Sequence, residues 1–318
     1  RRDCMLGAAL VRPARVLARS AAASHKLPSR PLAPPQPRAP AAAANSTLAA
    51  RGRPGGFKAT QARNMACLPC GDIEEFSRAE MFSQDPVGSL DRYDGHMFVL
   101  SSKAVAEWPS DALTATAMGK ALEKEVKEAM KQLPDAPKMK VIVAATIEGD
   151  EDGDVLFFPP SAWGDATKRA VRYKIASEDA VKAFVANVVL KRDIATSEVP
   201  YKPLEAKQFF VCSHAQRDKR CGGCGPILVA ELTKALDGVP AQVRACSHVG
   251  GHIYAGNVLM YTKEMDWYGY VRPSDVPALV KHAAGGADIP GDGLVKLWRG
   301  RMGMLPDDVK KAAGTLSA

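Results

Sequence analysis

Hydrophobic positions along this chain change period several times, and each change marks an element. An apolar run at His96–Leu100 predicts a strand. Leu113, Ala117, Leu122, Val126 and Met130 then recur at roughly helical spacing, which predicts a helix from about Asp111 to Leu133. Lys140–Thr146 and Asp154–Phe158 read as strands around the acidic turn Glu148–Asp154, and another apolar stretch follows at Tyr173–Ile175. Ser177–Val189 reads as a helix opened by a Ser cap and nearby acids. The order then returns. Gln208–Cys212 is a strand, and Pro226–Leu236 is a helix with proline in its first turn. Gln242–Cys246, Asn257–Tyr261 and Trp267–Val271 are strands, and Ser274–His282 is a closing helix. Met97-Phe98-Val99-Leu100 aligns with Phe209-Phe210-Val211-Cys212, and Asp154–Phe158 with Asn257–Tyr261. Ser177-Glu178-Asp179 likewise aligns with Ser274-Asp275.

These matches predict an α/β fold in which two degenerate copies of one β-α-β-β-β-α unit stand in tandem. An order of strand, helix, strands and helix in two layers suits a thioredoxin-like domain for each copy. It does not suit a dinucleotide-binding domain, since no Gly-rich phosphate fingerprint follows the first strand of either half and no Walker sequence occurs. The boundaries read from the pattern are a leader and linker over 1–71, an α/β domain without ligands over 76–200, a thioredoxin-like domain over 203–303 and a tail over 304–318.

Charge changes the picture at the N-terminus. From Cys4 to Gly71 there are ten Lys or Arg and no Asp or Glu. Removing those ten, and one more from residues 1–3, from the total of +8 leaves residues 72–318 at −3. The folded part is therefore slightly acidic, and a nucleic-acid role loses its main support. The basic segment is amphipathic near Met5–Val11 and rich in Pro and Ala further on, as organellar transit peptides are. The reading is an address to the chloroplast, with the mitochondrion as the alternative. No apolar run reaches the ~18 residues that a membrane span needs.

Chemistry is concentrated in two fragments, Phe209–Ile227 and Val243–Asn257. Of seven cysteines, Cys212, Cys221, Cys224 and Cys246 fall there with His214, His248 and His252, while Cys67 and Cys70 sit at the leader boundary. Cys212 ends a strand, and Cys221 closes a polar loop before a helix N-terminus, whose free N–H groups favour a thiolate. Gly222, Gly223 and Gly225 would let backbone approach a bound centre. His248 and His252 flank Val249-Gly250-Gly251, where adjacent glycines disfavour helix and supply the positive-φ turn that aims both imidazoles at one point. Two thiolates and two imidazoles suit zinc or a 2Fe–2S cluster. Cys221-Gly222-Gly223-Cys224 has a redox-type spacing, so a thiol–disulfide oxidoreductase using Cys221/Cys224 is a separate reading. Cys246 reads as a small buried residue and His214 as a loop residue. Arg217, Lys219 and Arg220 form either a solvated loop or a docking patch for an acidic partner.

From Phe76 to Met302 the chain resembles the sucrase/ferredoxin-like family. The resemblance is carried by Glu80-Met81, Asp94-Gly95-His96, the two fragments above, Trp267-Tyr268-Gly269-Tyr270, Asp275-Val276-Pro277 and Leu297-Trp298-Arg299-Gly300. It implies a 2Fe–2S cluster held by Cys212, Cys221, His248 and His252, and hence an electron carrier between redox donor and acceptor proteins that the sequence does not name. With imidazole ligands the oxidised centre would be less negative than with four thiolates, its potential would lie above the roughly −400 mV of plant-type ferredoxins, and proton uptake could accompany reduction.

Overall fold

Long apolar strands set the frame. The computed structural model describes residues 74–163, 170–262, 264–285, 289–291 and 293–314, so the leader reading lies outside the described residues. Among the described residues ten strands form one sheet, and five α-helices accompany it: a mixed α/β fold. The first half runs β1 (Gly95–Ser101), α1 (Gly119–Lys131), β2 (Met139–Ala145), β3 (Val155–Phe158), β4 (Val171–Tyr173), α2 (Glu178–Phe184) and β5 (Tyr201–Pro203). The second runs β6 (Lys207–Cys212), α3 (Lys219–Ala235), β7 (Ala241–Cys246), β8 (Val258–Tyr261), β9 (Met265–Tyr268), α4 (Val276–Gly285), β10 (Trp298–Arg301) and α5 (Pro306–Gly314). Their order in the sheet is β10-β9-β8-β6-β7-β2-β1-β3-β4-β5.

Both halves pair alike. β1 lies parallel to β2 and antiparallel to β3, as β6 lies parallel to β7 and antiparallel to β8. The registers put Leu100 and Cys212 at equivalent positions, opposite Ala144 and Cys246 respectively. Ala144 and Cys246 then face each other where β2 meets β7, antiparallel, at the middle of the sheet. β1, β3 and β8 are buried along their whole length, the mark of strands covered on both sides. Met97 and Val99 face the core under α1 and α2, whereas Phe98 and Leu100 belong to the larger core shared with the second half. Phe98 and Phe210 stack at 3.7 Å between centroids. Two strands separate β1 from β6, about 14 Å if the sheet were flat, so the sheet curls to bring these rings together.

Helix starts differ from the sequence expectation. The helix expected from Asp111 begins at Gly119, after a short 3₁₀ turn at Ala112–Ala115. Thr116 Oγ1 accepts the Gly119 N–H at 2.9 Å, an alternative to the helical ladder that interrupts it. The helix expected from Pro226 begins at Lys219 instead, with Pro226 inside it. Asp218 caps it by accepting the Arg220 N–H at 2.9 Å. Cys221 therefore lies within the first turn of α3, not in a loop before it. The segment expected to be a tail contains α5, and β5 and β10 are short strands that apolar periodicity did not mark.

The chain before β1 packs on the second half. Leu90 N–H donates to Arg299 O at 3.1 Å, and Gly303 N–H to Tyr93 O at 2.7 Å. A buried ion pair ties the halves together: Arg244 on β7 holds Asp150 with Nη2–Oδ2 at 2.9 Å, both side chains almost fully buried. Among the described residues no helix is long and apolar enough to cross a membrane.

Candidate metal centre

Cys212 arrives at the end of β6 because the ladder carries it there: its N–H donates to Asn257 O at 3.1 Å and its neighbour Cys246 faces it across β7. The chain then turns through Ser213–Arg217 into α3. Gly225 makes this return possible, since a Cβ there would lie 2.5 Å from Cys212 O. Gly222 likewise lies against Ala215. Gly222 and Gly225 thus serve close packing of the helix on the chain leaving β6, and Gly223 lies against Glu75, where the sequence suggested that these glycines approach a bound centre.

The other side of the site is the loop after β7. Gly250 and Gly251 have φ of 88° and 65°, the left-handed region that glycine enters at little cost. His248 precedes this turn and His252 follows it, at the start of a short 3₁₀ turn ending at Tyr254. Donor atoms of Cys212, Cys221 and His248 all lie within 4.8 Å of one another. His252 stands outside this trio, its ring 5.7 Å from that of His248 between centroids. Its side chain is 56 % exposed and its Nδ1 lies 3.9 Å from Asp218 Oδ2.

Electrostatics fit a cation or a cluster. The Cys212 thiol is held well below the ordinary thiol range, first by the adjacent Cys221 thiol, against burial, then by His248 and the Val249 backbone N–H. Cys221 is pushed up, above all by the Cys212 thiolate and then by burial. The pair therefore accepts one negative charge readily and a second only with a positive partner between them. His248 Nδ1 is buried and makes no hydrogen bond, an atom whose burial is costly unless something else satisfies it. Zinc or 2Fe–2S would find here two thiolates, one converging imidazole and a second imidazole at the rim.

Other cysteines and histidines point elsewhere. Cys224 donates to Arg220 O at 2.8 Å and meets the Arg78 guanidinium at 3.6 Å, so it turns away from Cys221's partner. Cys246 is fully buried at its strand end. His214 lies in the loop between β6 and α3, as expected, and is buried there, with Nε2 2.9 Å from Pro109 O and its ring edge-on to Trp108. Arg220 is engaged by Asp218, while Arg217 and Lys219 are exposed.

Sequence reasoning assigned no role to Arg78, Asn257 or Arg299. Asn257 Nδ2 donates to Gly251 O at 3.2 Å, and Arg299 Nη1 donates to Gly250 O at 3.2 Å. Arg299 is lowered to about 10 by burial, with Tyr254, Cys212 and Cys221 pulling it back up. Its only sequence signal was membership of Leu297-Trp298-Arg299-Gly300, a stretch with no catalytic residue types at diagnostic spacing.

Relatives bear on identity at this point. The chain is 42% identical over 98 residues to altered inheritance of mitochondria protein 32 of Debaryomyces hansenii, covering 29% of this chain and 34% of that one. To the protein of the same name in Clavispora lusitaniae it is 35% identical over 103 residues, 31% of this chain and 36% of that one. It is also 36% identical over 90 residues to actin patches distal protein 1 of Saccharomyces cerevisiae, 23% of this chain and 28% of that one. The chain thus spans about a third of the length of the first two relatives, and these names give the chloroplast expectation no support. No solved structure is significantly similar to it. The family model described as sucrase/ferredoxin-like matches residues 86–300, more than half of the chain and including both Cys–His fragments, and the chain therefore belongs to the sucrase/ferredoxin-like family.

Proposed function

We propose that this protein is an electron carrier whose 2Fe–2S cluster is held by Cys212, Cys221, His248 and His252. The observation that carries the reading is the convergence of Cys212, Cys221 and His248 donors within 4.8 Å, with His252 on the solvent side. A two-iron centre takes its ligands as two pairs, as in sites where two imidazoles replace two thiolates on one iron. The cluster supplies one-electron chemistry when bound. The chain supplies the rest. Cys212 and Cys221 hold the buried end, and the Gly250-Gly251 turn presents His248 and His252 from the opposite side. His252 stands at the rim, its side chain open to water.

The finer fold reading, two thioredoxin-like units in tandem with ligands only in the second, belongs to the same proposal and is supported by the matching strand pairings. The mitochondrion is the compartment the relatives' names favour for this chain. Thiol exchange between Cys221 and Cys224 is disfavoured, because Cys221 faces Cys212 while Cys224 faces Arg220 O and Arg78. The deciding experiment is a visible spectrum of anaerobically purified protein with iron, sulfide and zinc counted. A red-brown protein with two irons and two sulfides per chain is expected. One zinc and no iron would replace the carrier by a structural zinc domain.

A further inference from the structure

One residue near the centre breaks the equivalence of the two halves. In the first half, β4 and β5 pair without interruption, Tyr173 opposite Tyr201 and Arg172 opposite Lys202. In the second half, the matching strands place Tyr268 opposite Trp298 and Trp267 opposite Gly300, with a register shift between. Arg299 is the extra residue. It has no counterpart in the half without ligands. A bulge of this kind re-aims a side chain that the regular ladder would point elsewhere, and here the side chain enters the interior, where Arg299 is only 3 % exposed.

Once inside, its contacts are specific. Nε donates to Ser89 Oγ at 3.0 Å, and Nη1 donates to both Gly250 O at 3.2 Å and Asn257 Oδ1 at 2.7 Å. Asn257 in turn donates to Gly251 O at 3.2 Å. Both carbonyls of the turn between the two histidines are therefore held, one by Arg299 and one by its partner. A Cβ on Gly251 would fall on the guanidinium itself, so the turn is shaped around it. The guanidinium also lies over Tyr254, 4.8 Å from the ring centroid. No carboxylate pairs with Arg299 among the described residues. A cation buried without an ion-pair partner is costly to keep and is best offset by negative charge nearby; Cys212 and Cys221 lie close enough to supply it, with a weaker pull from Asp91.

We infer that Arg299 is the positioning residue of the centre: it fixes the Gly250-Gly251 turn so that His248 and His252 reach the ligand, and lends the site a positive charge that favours the reduced state.

The inference rests on the metal-centre reading, and the test separates the two. Full-length wild type, R299Q and R299K are compared for Co²⁺ affinity, read from the thiolate-to-cobalt absorption band. Each is also compared for reduction potential after iron and sulfide reconstitution, at one fixed pH. R299Q should bind Co²⁺ about 10–100-fold more weakly, the usual cost of losing a group that orients metal ligands, and its potential should fall. R299K keeps the charge but not the planar fork. It should also bind Co²⁺ more weakly, yet hold a potential near that of wild type. Unchanged Co²⁺ affinity in R299Q overturns the positioning role, and an unchanged potential overturns the charge role. Should R299Q fail to fold by circular dichroism, R299K decides: wild-type Co²⁺ affinity in R299K overturns the inference. Wild type that binds Co²⁺ but takes up no iron removes the electron-carrier reading alone, and the cobalt comparison still judges Arg299. Wild type that binds neither removes both.

Discussion

The two halves of the sheet share a scaffold and differ in what stands at the ends of the strands. Leu100 and Cys212 occupy the same register, and each donates its N–H to the residue just before the third strand of its half, Asp154 O at 2.8 Å and Asn257 O at 3.1 Å. After β2 the first half carries an acidic turn, and its carboxylates are spent on structure: Asp150 holds Arg244 and Arg172, and Asp152 accepts the Ser102 N–H. After β7 the second half carries His248 and His252, neither bound to a carboxylate at hydrogen-bond distance among the described residues. One half uses its loop to close the sheet and the other leaves donors open. Secondary structure alone therefore does not tell the halves apart; side-chain identity at a strand end, a helix start and the loop after β7, plus one bulge, does.

The comparison is broken most severely by exchanging what differs. Replacing Cys212 or Cys221 by Ala should abolish the visible spectrum of the purified protein, because each change removes a charged donor from a converging set. Replacing the equivalent Leu100 by Ala should leave the spectrum intact and lower unfolding stability by about 2–5 kcal/mol, the cost of a cavity in a buried site. A colourless Leu100→Ala protein that is still folded would undo the assignment of roles to the halves.

Asp150→Ala should come next. It leaves the Arg244 cation buried and unpaired, for which about 3–5 kcal/mol is expected, seen as an earlier urea midpoint in a protein that keeps its colour. A smaller effect is expected from pH. If the imidazoles take up one proton per electron, the potential should fall by about 59 mV per pH unit above the oxidised-state imidazole pKa, and voltammetry at several pH values measures it. A flat profile near −400 mV would exclude imidazole ligands. Cys224→Ala should do least. It removes contacts to Arg220 O and Arg78 but no converging donor, so the spectrum should persist.

Much of this was legible in the chain because the signals are local. Alternating and continuous apolar runs located eight of the ten strands, for each is decided by residues within a few positions of one another. Gly250-Gly251 announced a left-handed turn, and the crowding of cysteine and histidine into two fragments marked where the donors of Cys212, Cys221 and His248 converge. Local signals also misled where two of them competed. Pro226 suggested a helix start, yet α3 begins earlier because Asp218 caps it and packing of Gly222 and Gly225 against the chain leaving β6 holds the first turns in place.

What the sequence by itself determined is most of the elements, their repeated order and the residue types available to a centre. Tertiary structure alone decided which of them meet. Curling of the sheet stacks Phe98 on Phe210, burial fixes His214 on Pro109, and Arg78 reaches Cys224 from a segment far away in the chain. Arg299 is the clearest case. Nothing in its neighbours marks it, since its partners are backbone and side-chain atoms brought near only when β10 pairs with β9 and slips by one residue. Short-range pattern encodes how a segment can fold. The energy that aims one guanidinium at one turn comes from contacts between residues distant in sequence, and those exist only once the sheet has closed.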